Sequence, residues 1–394
     1  MHILLFPSWY KTEKEPFMGT FFEEQARGLM NAGHKVGIIY PEFVPFRGIF
    51  NNSAAPSKMY EDNGLPTFYI PVQAILPNIR RTGYRSFIRS VEKEFKNYIT
   101  SYGTPDIIHG HSVFYGGIAG FAIAQNHHLP FVITEHLTSF IMGTITHKTD
   151  LQLARRIFCE SQASLIVSHS FKKDLSRILQ LDDKVFKVVH NMVNDLFFEN
   201  RHNKNYSPDE PFVLFTNSFL LPRKNHKLIF QAISHLVTKG MNIKLLVGGD
   251  GELASALRSL ADELKLSHHI EFLGGLNRKQ VKQNIDRSHA FLLASFYETF
   301  GVVLIESLAT GRPVITTNSG GPEDIVTPEN GIILKDFNPV TMASAIEHLI
   351  TNYSKYHQEK ISADCYAQFS EKKIISSLEE VYHKALSAKQ TTLS

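Results

Sequence analysis

Two glutamates that flank the start of a helix form the clearest chemical pattern in this sequence. A short apolar run before Glu298 predicts a buried strand, and apolar residues at helical spacing follow Gly301. Glu298 therefore lies in the loop between strand and helix, and Glu306 lies about two turns into the helix. The N–H groups at Phe300, Gly301 and Val302 predict an anion site, because the start of a helix carries partial positive charge. Each carboxylate would accept hydrogen bonds from hydroxyl groups beside that anion; the alternative is a surface helix with two solvated glutamates.

Three histidines lie where two further predicted strands end. One apolar strand ends in the pair His109 and His111, and the next strand ends in His136. Ligands bind at the carboxyl ends of strands in open α/β sheets, so all three histidines are candidate binding residues. The His-x-His spacing also occurs in metal sites, but no carboxylate or cysteine follows at a metal-binding spacing, and we predict no metal site. For His109, a buried and hydrogen-bonded structural role is the alternative.

The elements that position these residues repeat along the chain. Residues 2–6 and 36–40 predict strands, separated by a polar loop and by a helix that starts near Gly19. This order is typical of the opening of a doubly wound α/β domain. Gly19 would let the backbone approach a ligand closely, and a simple turn glycine is the alternative. A second series of strands and helices begins at residue 212, after a polar run at residues 199–210 that is typical of a linker.

Residues 41–83 lack a clear period and contain several prolines, which predicts mostly loops, with one candidate strand at residues 67–72. A basic cluster then leads into a helix. A solvated helix face explains such a cluster, and so does contact with an anionic acceptor or an anionic membrane surface. The cluster consists of Arg80, Arg81, Arg85 and Arg89.

Composition limits the function classes further. The 394 residues suggest two or three domains, and 43% hydrophobic with 20% charged residues is typical of a soluble globular protein. A net charge of +3 does not favour binding to nucleic acid. The two cysteines, Cys159 and Cys365, lack metal-type spacing, which favours a reducing compartment. The apolar stretch at the start of the sequence is too short for a signal peptide, and no apolar run is long enough to span a bilayer. We therefore expect a cytoplasmic protein, and peripheral membrane contact is left open.

A glycine-rich segment after the strand at residues 243–247 resembles a dinucleotide fingerprint. Read from Gly249, it has the pattern G-x-G-x-x-A, and Glu271 lies at roughly the expected distance. However, the fingerprint belongs in the first βαβ unit of its domain, whereas a complete unit precedes it here. Glu271 also lies inside a predicted strand instead of at its end. We therefore rank an NAD oxidoreductase last among the candidate functions.

The stretch from Ser295 to Pro313 carries a family resemblance. Its Glu-x7-Glu spacing, with Phe-Gly between the glutamates and Gly-x-Pro-Val-Ile after them, is followed by Gly-Gly-Pro-Glu at residues 320–323. Together these motifs resemble the retaining glycosyltransferases of family GT4. The resemblance covers nearly the whole chain and is densest at residues 212–334.

That resemblance implies the GT-B fold, in which two Rossmann-like α/β domains face each other across a cleft. It implies an acceptor-binding domain at residues 1–195 and a nucleotide-sugar-binding domain at residues 210–368. A C-terminal crossover helix at residues 370–390 would pack back on the first domain.

The resemblance also implies how the donor diphosphate is held. Family members commonly carry an arginine early in the loop after the first strand of the second domain and a lysine at its end. Lys224 matches the lysine, whereas the arginine position falls on Ser218 or Phe219. Arg223, next to Lys224, is a candidate to supply the missing charge, because a guanidinium binds phosphate oxygens in pairs.

Further roles follow from the same resemblance. Glu298 would bind hydroxyl groups of the transferred sugar, Glu306 would bind the ribose, and His136 would hydrogen-bond the sugar from the first domain. His109 or His111 would lie near the cleft as acceptor-binding candidates. The remaining donor-side residues are Gly19 beside the leaving phosphate, Ser218 and Gly249 in loops near the donor, Leu276 beside the base, and Phe300, Gly301 and Val302 at the helix start.

The predicted reaction is transfer of a hexose-type sugar, with retention, from a UDP- or GDP-sugar to a glycan or lipid-linked glycan in surface polysaccharide synthesis. The sequence contains no Asp-x-Asp pair, which could hold a divalent ion on a diphosphate, and we expect neither a metal nor a cofactor. Two alternatives share the fold. One is a nucleotide-sugar 2-epimerase, and the other is a non-catalytic nucleotide-sugar binding protein, which the missing arginine favours.

Overall fold

Alternating strands and helices build two sheets, one in each half of the chain. The computed structural model describes residues 1–12, 18–44, 57–73 and 80–392. The chain divides into two units. The first unit comprises Met1–Val167, Lys172–Val189 and Ile374–Ser394, and the second comprises Ser168–Phe171 and His190–Lys373.

The first half of the chain contains the following elements in order: β1 (His2–Pro7), α1 (Thr20–Asn31), β2 (Lys35–Val44), β3 (Lys58–Asp62), β4 (Leu65–Gln73), α2 (Arg80–Tyr102), β5 (Ile107–His111), α3 (Ile118–Asn126), β6 (Phe131–Glu135), α4 (Lys148–Glu160), β7 (Ala163–Ile166), α5 (His169–Leu179) and β8 (Phe186–Val188).

The sheet of the first unit has the order β3-β4-β2-β1-β5-β6-β7-β8, and its strands are parallel except for the antiparallel pair β3 and β4. The chain places β2, β3 and β4 on one side of β1 and then crosses to β5 on the other side. This reversal creates a switch point between β1 and β5, and ligands bind outside the carboxyl ends of strands at such points. His109 and His111 lie on β5, and His136 directly follows β6.

The second half contains β9 (Phe212–Asn217), α6 (His226–Thr238), β10 (Ile243–Gly248), α7 (Ala254–Glu263), β11 (Ile270–Gly274), α8 (Arg278–Arg287), β12 (Ala290–Leu293), α9 (Val302–Ala309), β13 (Val314–Thr317), β14 (Gly331–Leu334), α10 (Pro339–Thr351), α11 (Gln358–Phe369) and α12 (Glu371–Thr392).

The sheet of the second unit is parallel and has the order β11-β10-β9-β12-β13-β14. Its switch point lies between β9 and β12, so the loops after these two strands start side by side. One loop carries Lys224 and the other carries Glu298. The doubly wound α/β architecture predicted from the sequence is thereby confirmed for both halves.

Residues 45–56 and 74–79 lie outside the described residues, and for the rest of residues 41–83 the prediction of mostly loops is wrong. The segment contains the end of β2 and the whole of β3 and β4, of which only residues 67–72 were recognised as a strand. Proline misled this interpretation, because Pro41 lies within β2 and both Pro66 and Pro71 lie within β4. Pairing with a neighbouring strand thus outweighs the local signal.

The basic cluster falls at the start of α2. Arg85 and Arg89 are exposed on this helix, whereas the side chains of Arg80 and Arg81 lie outside the described residues. Among the helices in the described ranges, none combines the length and the apolar character needed to cross a bilayer.

Residues of α12 from Ile374 onward belong to the first unit, and a buried hydrogen bond fixes this helix there. The hydroxyl of Tyr382 lies 2.7 Å from Nδ1 of His109 on β5, and the other ring nitrogen of His109 lies 2.8 Å from the Thr134 hydroxyl on β6. Both His109 and Tyr382 are fully buried. These contacts show that His109 has the buried, hydrogen-bonded structural role that was the alternative to ligand binding.

We predict that Tyr382→Phe lowers the free energy of unfolding by about 1–3 kcal/mol, because it leaves a buried nitrogen of His109 without its partner. Urea denaturation measures the loss. The control is Tyr366→Phe on α11, where the side chain is 45% exposed, and the expected change is within about 0.5 kcal/mol. Equal losses for the two variants would contradict the structural importance of this hydrogen bond.

Candidate functional site

The loops after β9 and β12 bring together a lysine and a glutamate of the predicted site. Lys224 Nζ donates a hydrogen bond to Oε1 of Glu298, and the two side chains are only 11% and 10% exposed. The Ser295 hydroxyl donates to the same carboxylate oxygen at 2.7 Å. Burial acts to raise the pKa of Glu298, but the Lys224 charge and the hydrogen bonds from Lys224 and Ser295 outweigh it, so the pKa lies below its usual range. Glu298 is therefore ionised at neutral pH.

Arg223 lies close enough to this carboxylate to act on it. Its positive charge also lowers the pKa of Glu298, and its backbone carbonyl accepts a hydrogen bond from Phe296 N at 2.9 Å. The loop after β9 thus presents two adjacent cations at the edge of the sheet where Glu298 lies. This arrangement suits a ligand with two or more negative charges.

The start of α9 follows Glu298 closely in the chain, at Val302. Gly301 precedes the helix with φ +113°, a left-handed conformation that favours glycine, and no side chain in the described part of the chain caps the N–H groups of the helix. The turn at Gly320 and Gly321 packs closely against this start. A Cβ added to Gly321 would lie only 2.3 Å from Phe300 Cα, so a larger residue would not fit there. Gly321 N also donates to the Glu298 carbonyl at 2.9 Å. The turn and the helix start therefore form one continuous backbone surface around Glu298.

Two details of this stretch differ from the sequence prediction. The helix begins at Val302 and not near Phe300, because Gly301 in its left-handed conformation interrupts the chain before it. Glu306 is consequently the fifth residue of α9, which places it just over one turn from the helix start and not about two.

Glu306 is engaged by an arginine that the sequence did not single out. Arg278 Nη1, at the start of α8, donates to Glu306 Oε1 at 2.5 Å, and its guanidinium lies 4.9 Å from the centre of the Phe197 ring. Within the described residues, the other carboxylate oxygen of Glu306, Oε2, is buried and has no hydrogen-bond partner. Burial raises the pKa of Glu306, and Arg278 opposes this shift. A buried acceptor without a donor is suited to a ligand hydroxyl.

Three other donor-site candidates lie in adjoining loops. Gly249 has φ +115°, and a Cβ there would lie 1.9 Å from the carbonyl oxygen of Ser218. A Cβ on the neighbouring Gly248 would lie 2.7 Å from a methyl group of Leu276. The structure thus brings Ser218, Gly249 and Leu276 together at the ends of β9, β10 and β11. The Ser218 hydroxyl lies 3.2 Å from Nε2 of His226.

Glu271, the acidic residue of the dinucleotide fingerprint, has a different set of contacts. It lies within β11, and its carboxylate pairs with Lys244 at 2.6 Å and with Arg287 at 3.7 Å. Two cations thus occupy the carboxylate that would bind a ribose in a dinucleotide site. These contacts agree with ranking the NAD oxidoreductase last.

In the first unit, the histidines at the carboxyl ends of β5 and β6 form a buried cluster. His111 Nδ1 lies 3.2 Å from His136 Nε2, so one ring donates to the other. Burial lowers the pKa of His136 to about 3, and it holds the pKa of His111 well below its usual range, as do the neighbouring His109 and His136. All three histidines are therefore neutral at physiological pH.

A carboxylate holds His136 in place. Both Glu135 oxygens accept backbone N–H groups at 2.8 Å, one from Val113 and the other from His136 and Leu137. Burial raises the pKa of Glu135, and these hydrogen bonds oppose the shift. Glu135 was not among the residues predicted from the sequence, although its position beside His136 at a strand end is a signal for it.

Aromatic residues of α1 pack on the histidine cluster. The Phe21 and Phe22 rings lie 5.2 and 5.3 Å from the His136 ring, between centroids. Gly19 precedes this helix with φ +68°, and a Cβ there would lie 2.9 Å from the Trp9 carbonyl. These two constraints account for a glycine at this position, and its contact with a donor phosphate stays a prediction.

Two protein families match the chain. The family described as Glycosyltransferase Family 4 matches residues 18–195, and the family described as Glycosyl transferases group 1 matches residues 197–364. Together they cover every strand of both sheets except β1, which precedes residue 18.

Curated relatives carry transferase and synthase names. The chain is 27% identical over 58% of its length to uncharacterized glycosyltransferase MJ1607 of Methanocaldococcus jannaschii, and 25% identical over 82% to one subunit of the Homo sapiens phosphatidylinositol N-acetylglucosaminyltransferase. It spans less than two thirds of these two relatives, 61% and 63% of their lengths. It is also 26% identical over 71% of its length to N-acetyl-alpha-D-glucosaminyl L-malate synthase of Bacillus anthracis, of which it covers 75%.

Solved structures share the fold. Sucrose-phosphate synthase from Thermosynechococcus elongatus superposes with a TM-score of 0.78 at 17% identity, covering 98% of this chain and 100% of that one. Anabaena HepE in complex with UDP-glucose superposes with a TM-score of 0.72 at 16% identity, covering 96% and 99%. The two family matches and these folds agree with the motifs around Glu298 and Glu306: the chain belongs to the family 4 glycosyltransferases and has the GT-B fold.

Proposed function

We propose that this glycosyltransferase moves a hexose-type sugar, with retention of configuration, from a nucleotide-diphosphate sugar to a glycan or lipid-linked glycan. The observation that carries the proposal is the buried ion pair between Lys224 and Glu298. It lies at the carboxyl-end edge of the second unit's sheet, in the loops that lead to α6 and α9. In this proposal the donor diphosphate lies on the helix start, and Lys224 shares its charge between phosphate and Glu298.

The nucleoside would lie on the β11 side of the diphosphate. The unpartnered Glu306 Oε2 would accept a ribose hydroxyl, and the loop at Leu276 would contact the base through its backbone. UDP is the first candidate nucleotide, because HepE, which shares the fold, was solved with UDP-glucose. N-acetylglucosamine is the first candidate sugar, because it appears in the names of two relatives.

The chemical problem is the charge that develops on the leaving group. The bond between the sugar C1 and the phosphate oxygen breaks, a bond from C1 to the acceptor oxygen forms on the same face, and the acceptor proton passes to the leaving phosphate. Lys224, Arg223 and the N–H groups at Phe300, Gly301 and Val302 would stabilise the diphosphate. These groups supply positive charge from the protein itself, which supports a metal-independent and cofactor-independent reaction.

The sugar would be held by groups that carry no positive charge. Glu298 would accept hydrogen bonds from sugar hydroxyls, and neutral His136 would hydrogen-bond the sugar from the first unit. His109 is bonded on both ring nitrogens within the protein, so of the two acceptor-binding candidates we favour His111.

For the acceptor we propose a surface-polysaccharide intermediate at the inner face of the membrane. The exposed Arg85 and Arg89 would contact anionic headgroups there.

A screen of donors tests the proposal. We expect UDP-N-acetylglucosamine, UDP-glucose or GDP-mannose to raise the melting temperature, because a ligand that binds only the native state stabilises it.

Glu306→Ala should weaken this binding about 10–100-fold, since a hydrogen bond to a charged group is worth about 1.5–3 kcal/mol. The control is Glu263→Ala, an exposed residue of α7. Wild-type binding in Glu306→Ala would contradict the ribose contact, and formation of an epimer from donor alone would favour the 2-epimerase.

We predict that Lys224→Ala lowers kcat about 10²–10³-fold with a smaller change in donor KM. The reason is that the positive charge of Lys224 would stabilise the negative charge that grows on the leaving diphosphate in the transition state. Steady-state transfer assays measure both constants. Lys227→Ala, an exposed lysine of α6, is the matched control and should keep wild-type kinetics. A thermal melt of each variant verifies folding. Equal kcat for Lys224→Ala and the control would count against a phosphate contact.

The neutral state of His136 predicts a pH dependence of stability. Its folded pKa of about 3 lies below an unfolded value near 6.5, so below about pH 6.5 the unfolded chain binds a proton that the folded chain does not. His136 therefore removes about 1.4 kcal/mol of stability between pH 7.5 and 5.5. We expect His136→Gln to reduce the measured fall by that amount in urea denaturation, whereas His268→Gln, at an exposed site, leaves it unchanged. An unaltered fall in His136→Gln would show that this histidine titrates in the folded protein.

A further inference from the structure

We propose that His169, His190 and Asp324 bind a divalent transition-metal ion, with Zn²⁺ the best match. All three residues belong to the second unit. His169 begins α5, His190 follows β8, and Asp324 ends the short turn that begins at Gly321. One ligand atom from each residue lies within 4.8 Å of the other two.

The distances are close to those of a zinc site. Nδ1 of His169 lies 2.9 Å from Oδ2 of Asp324, and Nδ1 of His190 lies 4.0 Å from the same oxygen. Zinc bonds of about 2.0–2.2 Å in tetrahedral geometry place two ligand atoms about 3.3–3.5 Å apart. The first pair has to separate by about half an ångström and the second has to close by a similar amount. Rotation of the exposed His169 ring supplies such a movement.

Contacts in addition to those among the three ligand atoms hold His190 and Asp324 in position. The His190 ring is stacked on Phe300, 5.4 Å between centroids at 22°, and meets the edge of Phe369 at 5.5 Å. Asp324 Oδ2 also accepts the backbone N–H of His169 at 2.6 Å. A carboxylate has several lone pairs, so it keeps this hydrogen bond while it binds a metal. Outer contacts of this kind orient metal ligands and strengthen binding.

The ligand set and its exposure favour zinc. Two imidazole nitrogens and one carboxylate oxygen suit borderline metals such as Zn²⁺, whereas Mg²⁺ and Ca²⁺ prefer oxygen ligands. The His169 side chain is 67% exposed, which leaves room for water as the fourth ligand. The three residues are 21 and 134 positions apart in the chain, so no local spacing motif could reveal them. His109 and His111, which do have such a motif, lie elsewhere, in the first unit.

A metal here would brace the segment that carries the donor-site backbone. Asp324 ends the turn whose Gly321 packs against Phe300, and Phe300 in turn stacks on His190. A bound ion would therefore tie three separate chain segments together behind the start of α9. This role is structural and adds no metal to the transfer step.

Metal titration tests the site directly. Protein stripped with a chelator is titrated with Zn²⁺ by calorimetry and with Co²⁺ by visible absorption, which reports tetrahedral coordination. We expect one equivalent to bind with micromolar or tighter affinity and to raise the melting temperature. His169→Ala should weaken binding at least tenfold and abolish the thermal shift, without changing the melting temperature of the stripped protein, because His169 is exposed.

Two further variants make the result specific. Asp324→Asn keeps an oxygen to accept the His169 N–H but removes the negative charge, and we expect it to weaken Zn²⁺ binding at least tenfold. His268→Ala, at an exposed histidine of the second unit, should bind as the wild type does. Absence of saturable Zn²⁺ and Co²⁺ binding would overturn the proposal. Wild-type affinity in both His169→Ala and Asp324→Asn would overturn it equally, because the ion would then bind elsewhere.

Discussion

The ion pair between Lys224 and Glu298 is the interaction on which the second unit's functional edge depends. Removing two charges from water costs several kcal/mol per ion, and breaking such a pair leaves one charge buried and uncompensated. The pair joins the loop after β9 to the loop after β12, and the backbone of Glu298 is bonded to the turn at Gly321. Three loops thus meet at one residue, Glu298, through its carboxylate and its backbone carbonyl. An apolar contact would join them with less desolvation, so the charged pair agrees with the proposed role in binding a charged ligand.

Local patterns in the sequence predicted most of the strands and helices that form this edge. They did not predict contacts between residues that are far apart in the sequence. The strands at β9 and β12 and the helix after Gly301 follow from apolar periodicity, which acts over a few residues. The Arg278 contact with Glu306 could not be predicted, because the two residues lie 28 positions apart and only the packing of α8 and α9 joins them. The strand β3 was missed for the same reason, since it depends on pairing with β4. The start of α9 was misplaced by two residues because a positive φ at Gly301 cannot be read from residue type alone.

The loop after β9 departs from the pattern that the family resemblance implies, and it carries an arginine at a different position. The family's arginine position falls on Ser218 or Phe219, and neither side chain can bind a phosphate by charge. The Ser218 hydroxyl lies beside His226, and Phe219 is 45% exposed. Arg223 instead acts on Glu298, as its effect on the pKa of that carboxylate indicates. Two cations are therefore available at this edge, but both come from the end of the loop, next to α6. Electrostatic attraction falls off only with the inverse of distance, so a charge can shift along a loop and keep much of its effect.

The charges of the two units are distributed in a way that suits sugar transfer. The second unit gathers cations and helix N–H groups, which would stabilise a diphosphate that gains negative charge. The first unit presents histidines whose low pKa, caused by burial, keeps them neutral. As the bond to phosphate breaks, a transferred sugar gains oxocarbenium-like positive charge. A protonated histidine beside it would oppose that charge, whereas a neutral imidazole still donates or accepts a hydrogen bond. In the proposed reaction, burial of His136 would therefore have a chemical consequence beyond packing, because it excludes the protonated state that would oppose this charge.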